Sequence, residues 1–207
     1  MRSPTRRWSG SSAPESTSIL PGISTVTTQA LRVLGIDPGG FVAGWGMVRQ
    51  TGNKLNLEAC GTIRPKRTDE FSTRLVTLHQ GLGEILEANK PDVVAVESVF
   101  FSKHPRAALQ LGHVRGVLLL AAAERQIEIF EYPPATVKKA VTGNGRASKE
   151  QVRQMVQLLL GAEVSGAADK SDALAVAICH AHSGSFMSKI KHLDPGPRRR
   201  QRRPRGT

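Results

Sequence analysis

The sequence predicts an α/β fold, a mixed five-stranded sheet flanked by helices, and three observations carry that expectation. The first is the run Arg32-Val33-Leu34-Gly35-Ile36-Asp37-Pro38-Gly39-Gly40. Its β-branched and aliphatic residues end in one carboxylate and are stopped by Pro-Gly-Gly, the pattern of a buried strand closed by a turn. The second is the pair of segments 44–49 and 55–63, whose linkers are so short that only antiparallel neighbours can use them. The third is another apolar run, residues 92–97, reached from that meander through a helical pattern. A strand–helix–strand connection crosses over right-handed, which lays this run parallel to the first.

The remaining elements follow in order. A turn centred on Thr51-Gly52-Asn53-Lys54 joins the second and third strands. Residues 70–89 set Phe71, Leu75, Leu78, Leu82, Ile85 and Leu86 at helical spacing, and Asn89-Lys90-Pro91 stops them. A long helix spans 105–125, and its apolar block 117–123 is broad enough for burial on more than one side. Residues 127–132 read as the fifth strand. Pro134 opens a short helix through Val141, the loop Gly143-Asn144-Gly145-Arg146 follows, and Ser148 caps a helix over 149–160. A last helix runs from about Asp169 to Ser183. Strands and helices in this order make a mixed sheet covered by helices.

The chain has 207 residues, enough for one core of ordinary size, and a formal net charge of +12. Most of that charge is terminal. Residues 188–207 carry +7 and residues 1–30 carry +2, leaving +3 for the stretch between. The expected division is therefore a disordered extension at 1–30, one globular domain at 31–185 and a basic disordered tail at 186–207, its Arg-rich part able to bind DNA through salt-sensitive contacts. Residues 1–30 hold no apolar block of the kind a secretory signal or membrane span requires. Their Arg- and Ser-rich start fits an organellar transit peptide and fits equally a start placed too far upstream. The two cysteines, Cys60 and Cys179, form neither a Cys-x-x-Cys pair nor a disulfide framework, which suits a reducing, cytoplasmic setting without a membrane.

The chemistry resides in four acids. Side chains alternate along a strand, so Val33, Gly35 and Asp37 share one face, as do Val93, Ala95 and Glu97. Parallel pairing brings Asp37 and Glu97 to the same rim, the edge at which open sheets with helical crossovers bind ligands. Asp169 and Asp172, three apart near a helix amino end, share a face there. Four converging acids repel one another unless a cation sits among them. Oxygen ligands without His or Cys at zinc spacing point to Mg2+, or Mn2+ in its place. Two such ions about 3.5–4 Å apart suit in-line displacement at a phosphodiester. The simpler alternatives are an Asp that only forms a turn before Pro-Gly and an acid that only caps a helix.

Several segments together resemble the RuvC family of crossover junction endodeoxyribonucleases. They are Gly35-Ile36-Asp37-Pro38-Gly39 with Gly44-Trp45-Gly46, Val96-Glu97 followed by Phe100, Ala107 to Gly112 with Arg115-Gly116, Val137 to Val141, and Asp169 to His182. The resemblance spans about residues 31–183. It implies a ribonuclease H-like fold and a homodimer that uses Mg2+ to cut two opposed strands of a four-way (Holliday) junction in DNA recombination and repair. It also implies a branch-migration helicase complex, RuvA-RuvB, as partner. Asp37, Glu97, Asp169 and Asp172 fall on the family's metal-binding acids. Lys138 and Lys149 match basic residues that serve catalysis or junction binding, and Phe100 matches an aromatic that stacks on a base at the opened crossover, with Phe101 beside it read as core. Arg106, Arg115, Lys139 and Arg146 are expected phosphate contacts. The 105–125 helix resembles the family's dimer-forming element. Lys170-Ser171 departs from the small residues expected between the two aspartates, and His180 and His182 read as surface or core residues, not ligands.

Two other readings stay in view. Gly35 to Gly39 also resembles the first phosphate loop of actin-like sugar kinases, but those need a second domain and a second glycine-rich phosphate segment. A binding-only junction protein would not need the full set of acids.

Overall fold

The computed structural model describes residues 30–98, 105–164, 166 and 168–193, with side chains as far as Ser183. Phe100 and Phe101 lie outside the described residues, as do residues 1–29 and 194–207 of the two tails expected from composition, whereas residues 186–193 of the expected disordered tail are helical.

Five strands form one sheet: β1 (Leu31–Pro38), β2 (Ala43–Thr51), β3 (Lys54–Ile63), β4 (Val93–Glu97) and β5 (Glu128–Tyr132). Their spatial order is β3-β2-β1-β4-β5. The first three make the expected antiparallel meander, and β4 and β5 join in parallel. The β2–β3 hairpin closes on Gly52-Asn53, between the paired residues Thr51 and Lys54. Gly52 stands there at φ 61°, a backbone state that only glycine adopts without cost at the first central position of such a turn.

Helix α1 (Phe71–Asn89) provides the crossover from β3 to β4, and α2 (Pro105–Ala123) the one from β4 to β5. Lys90 ends α1 in the left-handed conformation, its N–H donating to the Leu86 carbonyl, and Pro91 then prevents continuation. These two helices cover one face of the sheet. Leu34, Ile36, Val94 and Val96 point into a core with Leu78, Leu82, Leu86, Val114 and Leu118. Full burial of a leucine of this kind contributes about 1.5–3 kcal/mol.

The opposite face is covered by α3 (Pro134–Thr142), α4 (Lys149–Leu160) and α5 (Ala168–Leu193), around Val33, Ala95, Val137, Val152, Leu174 and Ile178. Asp37 and Glu97 belong by parity to this second face.

Two local expectations differ from the structure. The last helix does not stop at 183 but runs to Leu193. Gly184 follows the expected end, yet a lone glycine inside a helix costs only about 1 kcal/mol and does not end one. The apolar block of α2 is not buried all round: Leu118, Ala121 and Ala122 are buried, whereas Leu120 is 51% exposed, as is Leu109 earlier on the helix at 64%. The helix packs on α1 and the sheet along one stripe, and its other side meets no element among the described residues.

Candidate active site

The parallel register of β1 and β4 runs through Gly35–Ala95 and Ile36–Val96. One further step sets Asp37 beside Glu97. Glycine brings the third and fourth acids to them. A Cβ at Gly35 would overlap the Ala173 carbonyl oxygen, and one at Gly44 would overlap that of Asp169. Gly44 pairs directly with Asp37 across the β1–β2 ladder. Helix α5 therefore rests on bare backbone at the rim, with Asp169 against the strand residue facing Asp37 and Asp172 on the next turn.

The far wall comes from α3 and α4. Pro134 stands at the first position of α3, where its missing N–H is no loss, and Lys138 follows one turn later. Ser148 caps α4 as expected. Its hydroxyl accepts from Gln151 N at 3.2 Å while Gln151 Oε1 accepts from Ser148 N at 2.8 Å. This capping box makes Lys149 the first residue of the helix, a place where the dipole disfavours a cation. The position is compensated by Asp172, whose Oδ2 lies 3.3 Å from Lys149 Nζ. Glu97, Lys138, Lys149 and Asp172 together line a cleft of about 70 Å³ floored by Val137, Val152 and Ala175.

The acids sense one another. The Asp37 carboxyl is pushed up from 3.8 to about 7, first by burial and then by the charges of Asp172, Glu97 and Asp169, with Lys149 pulling it back. Glu97 is also raised, chiefly by burial and next by Asp172, against the opposing pull of Lys149 and Lys138. Lys149 is raised by the Asp172 charge and hydrogen bond. A carboxyl raised by burial and then by neighbouring negative charge is what a cluster awaiting a cation should show. Among the described residues, no three His, Cys, Asp or Glu side chains already close on one ion position. The donors nevertheless suit a hard divalent cation: they are all carboxylates, and neither imidazole nor thiolate faces the cleft.

The other candidates are distributed more widely. Lys139, Arg146 and Arg106 are exposed, on α3, the α3–α4 loop and the first turn of α2. Arg115 is only 16% exposed and ion-pairs with Glu131 at 2.6 Å. It ties α2 to β5 on the face away from α5, so the structure does not bring it to the acids. His180 is a core residue at 5% exposure, hydrogen-bonded through Nδ1 to the Tyr132 hydroxyl at 2.8 Å, and burial lowers its pKa. His182 bonds the Ala140 carbonyl through Nδ1 at 3.1 Å. Sequence reasoning did not single out Phe41, which stands exposed in the loop after Asp37; the only signal was a large apolar residue inside a Pro-Gly-Gly turn.

A sheet of this order, with acids on the adjacent carboxyl ends of β1 and β4 and on a helix laid across them, defines a ribonuclease H-like domain with an acidic site. Within that class the chain belongs to the RuvC family, whose model, "Crossover junction endodeoxyribonuclease RuvC", matches residues 33–180. The chain is similar to the RuvC of Geotalea uraniireducens, with 42% identity over 164 residues, 79% of this chain and 96% of the relative. It is 44% identical over 171 residues to that of Oleidesulfovibrio alaskensis, covering 83% of this chain and all of the relative. Among solved structures, T. thermophilus RuvC in complex with a Holliday junction substrate matches with a TM-score of 0.72 and 32% identity, over 76% of this chain and 97% of that one. The yeast mitochondrial Holliday junction resolvase Ydc2, at 18% identity and a TM-score of 0.56, shares the fold.

Proposed function

We propose that this chain is a crossover junction endodeoxyribonuclease, a hydrolase that resolves four-way DNA junctions by paired, symmetric, metal-dependent cuts. The observation that carries the reading is the convergence of Asp37, Glu97, Asp169 and Asp172 from two strands and one helix of a RuvC-family chain, close enough that the charges of the other three raise the Asp37 carboxyl on top of its burial. The four acids would hold Mg2+, with Mn2+ as a substitute, and the bound ions would supply an activated water and neutralisation of the leaving 3′ oxygen. The chain's own groups do the rest. Lys138 and Lys149 bring ammonium charge from the opposite wall to the scissile phosphate, where it offsets charge that grows in the transition state. Before DNA arrives, Asp172 anchors Lys149. Arg106, Lys139 and Arg146 position the backbone of the arms without reading sequence, and Phe100 stacks at the opened crossover.

Two opposed cuts need two sites, so the active species is a homodimer. The exposed stripe of Leu109 and Leu120 on α2, with Val76 beside it on α1, supports α2 as its interface. RuvA and RuvB homologues would deliver the junction, in the cytoplasm. Among the described residues no helix is long and apolar enough to cross a membrane.

Incubation of the full chain with a synthetic four-way junction, with and without Mg2+, tests the reading. The expected products are two nicked duplexes with 5′ phosphate and 3′ hydroxyl ends that ligase seals, formed only with the metal. Binding without paired nicks would refute it.

A further inference from the structure

The β1–β2 loop carries an aromatic side chain that the acid site does not use. Phe41 is 48% exposed, yet it is braced. The Arg74 guanidinium carbon lies 4.6 Å from its ring centroid and that of Arg67 5.4 Å. Arg74 also lies 5.3 Å from the Phe71 ring, which in turn meets His113 edge-on at 5.8 Å. This chain of rings and guanidinium ties the loop to α1 and α2. A phenyl group that served only to anchor the loop would be turned inward, whereas here cations hold it open to solvent.

Its position is informative. Phe41 stands four residues beyond Asp37, so their Cα atoms are within about 14 Å. Strand β3 runs in the same direction as β1, and Arg64, Lys66 and Arg67 therefore leave the sheet at the edge that carries the acids. Along that edge the order is the β3 cations, Phe41, Asp37, Glu97 and then the Lys138–Lys149 cleft. From β3 to β4 is three strand spacings, about 14 Å, a span that a few nucleotides of one DNA strand bridge. Asp69 and Glu70 lie in the same turn, yet among the described residues none of Arg64, Lys66, Arg67 and Arg74 is ion-paired to a carboxylate. The patch thus combines uncommitted positive charge with a flat apolar face, the combination that suits an unpaired nucleotide.

We infer that Phe41, braced by Arg67 and Arg74, is a stacking platform for an unpaired base of the DNA strand that crosses the acid cluster, with Arg64, Lys66 and Arg67 taking that strand's phosphates. The inference rests on the nuclease reading and adds to it a second grip, on the side of the acids away from Lys138 and Lys149.

The test uses the full chain, a four-way junction and a single-stranded oligonucleotide, in Ca2+ for binding and Mg2+ for cutting. Phe41→Leu keeps an apolar side chain but loses the ring, and it should weaken junction binding about 10-fold, with only the small drop in the unfolding midpoint that the lost cation–π contacts imply. Phe41→Trp should bind as the parent does, and its emission should be quenched by either DNA. Arg67→Gln should lower the slope of log affinity against log salt by about one. Wild-type binding by Phe41→Leu, or tryptophan emission indifferent to DNA, overturns the inference while leaving the nuclease reading intact. Emission that changes with protein concentration in the absence of DNA also overturns it, because a second copy then covers the ring. If the parent chain leaves the junction uncut, the nuclease reading fails by itself, and quenching of Phe41→Trp by the oligonucleotide still decides for or against the platform.

Discussion

Replacing Asp37 by Asn should stabilise the metal-free protein while destroying its cleavage activity. In the fold the Asp37 carboxyl titrates at about 7 against 3.8 ordinarily, a gap that corresponds to about 4 kcal/mol. Because the folded value lies above the unfolded one, the group's favourable contribution is fully present below about pH 4 and is lost as pH rises through about 7. Ionised Asp37 therefore strains the fold by about 4 kcal/mol at pH 8, and the amide removes that strain. At pH 5 the folded carboxyl is protonated, and the difference shrinks to about 2 kcal/mol. Urea unfolding of both proteins at the two pH values, in chelator, measures the gain directly, and scanning calorimetry at pH 8 should show an upward shift of roughly 8–16 °C. Mg2+ should stabilise the parent at pH 8 and the variant much less, while junction binding by the variant is retained. A variant no more stable than the parent at pH 8, or a gain equal at both pH values, would refute the picture of carboxylates crowded around Asp37.

Two further perturbations examine the walls of the site. Lys149→Gln removes the ammonium that faces Asp172 and should lower single-turnover cleavage at saturating protein by about 100-fold, with junction affinity changed far less; an unchanged rate would remove Lys149 from the chemistry. Gly44→Ala places a methyl group against the Asp169 carbonyl oxygen and should cost about 1–3 kcal/mol in urea unfolding. Cleavage should fall much further than that loss of stability implies, because the amino end of α5 is displaced; parent-like stability and rate together would show that the helix does not rest there.

The acids were legible because strand parity and helix spacing are local properties. Asp37 and Glu97 each close an apolar run on the residue that continues the Val33–Gly35 and Val93–Ala95 faces, and Asp169 and Asp172 are one turn apart. What the local pattern could not supply was the distance between these pairs, which depends on glycines that look, in sequence, like ordinary strand residues. Lys149 was legible only through family resemblance: a cation at the start of a capped helix contradicts the dipole rule until Asp172 is seen beside it. Arg115 shows the opposite case. Its place in a family-like motif suggested DNA, but its partner, Glu131, is sixteen residues away on a strand that no periodicity links to α2. The length of α5 was missed: Gly184 follows the expected end, whereas a helix already nucleated continues through a lone glycine.

Helix α5 and strands β1 and β2 touch main chain to main chain at Gly35 and Gly44, with no side chain between them. Cushioned interfaces can creep as rotamers exchange, but here there is nothing to exchange. The gap across which the acids face each other is consequently set by atomic radii alone. An attempt to retune this pocket for a larger ion would have to re-aim the helix itself, because longer or shorter acids would only reach differently across a fixed span.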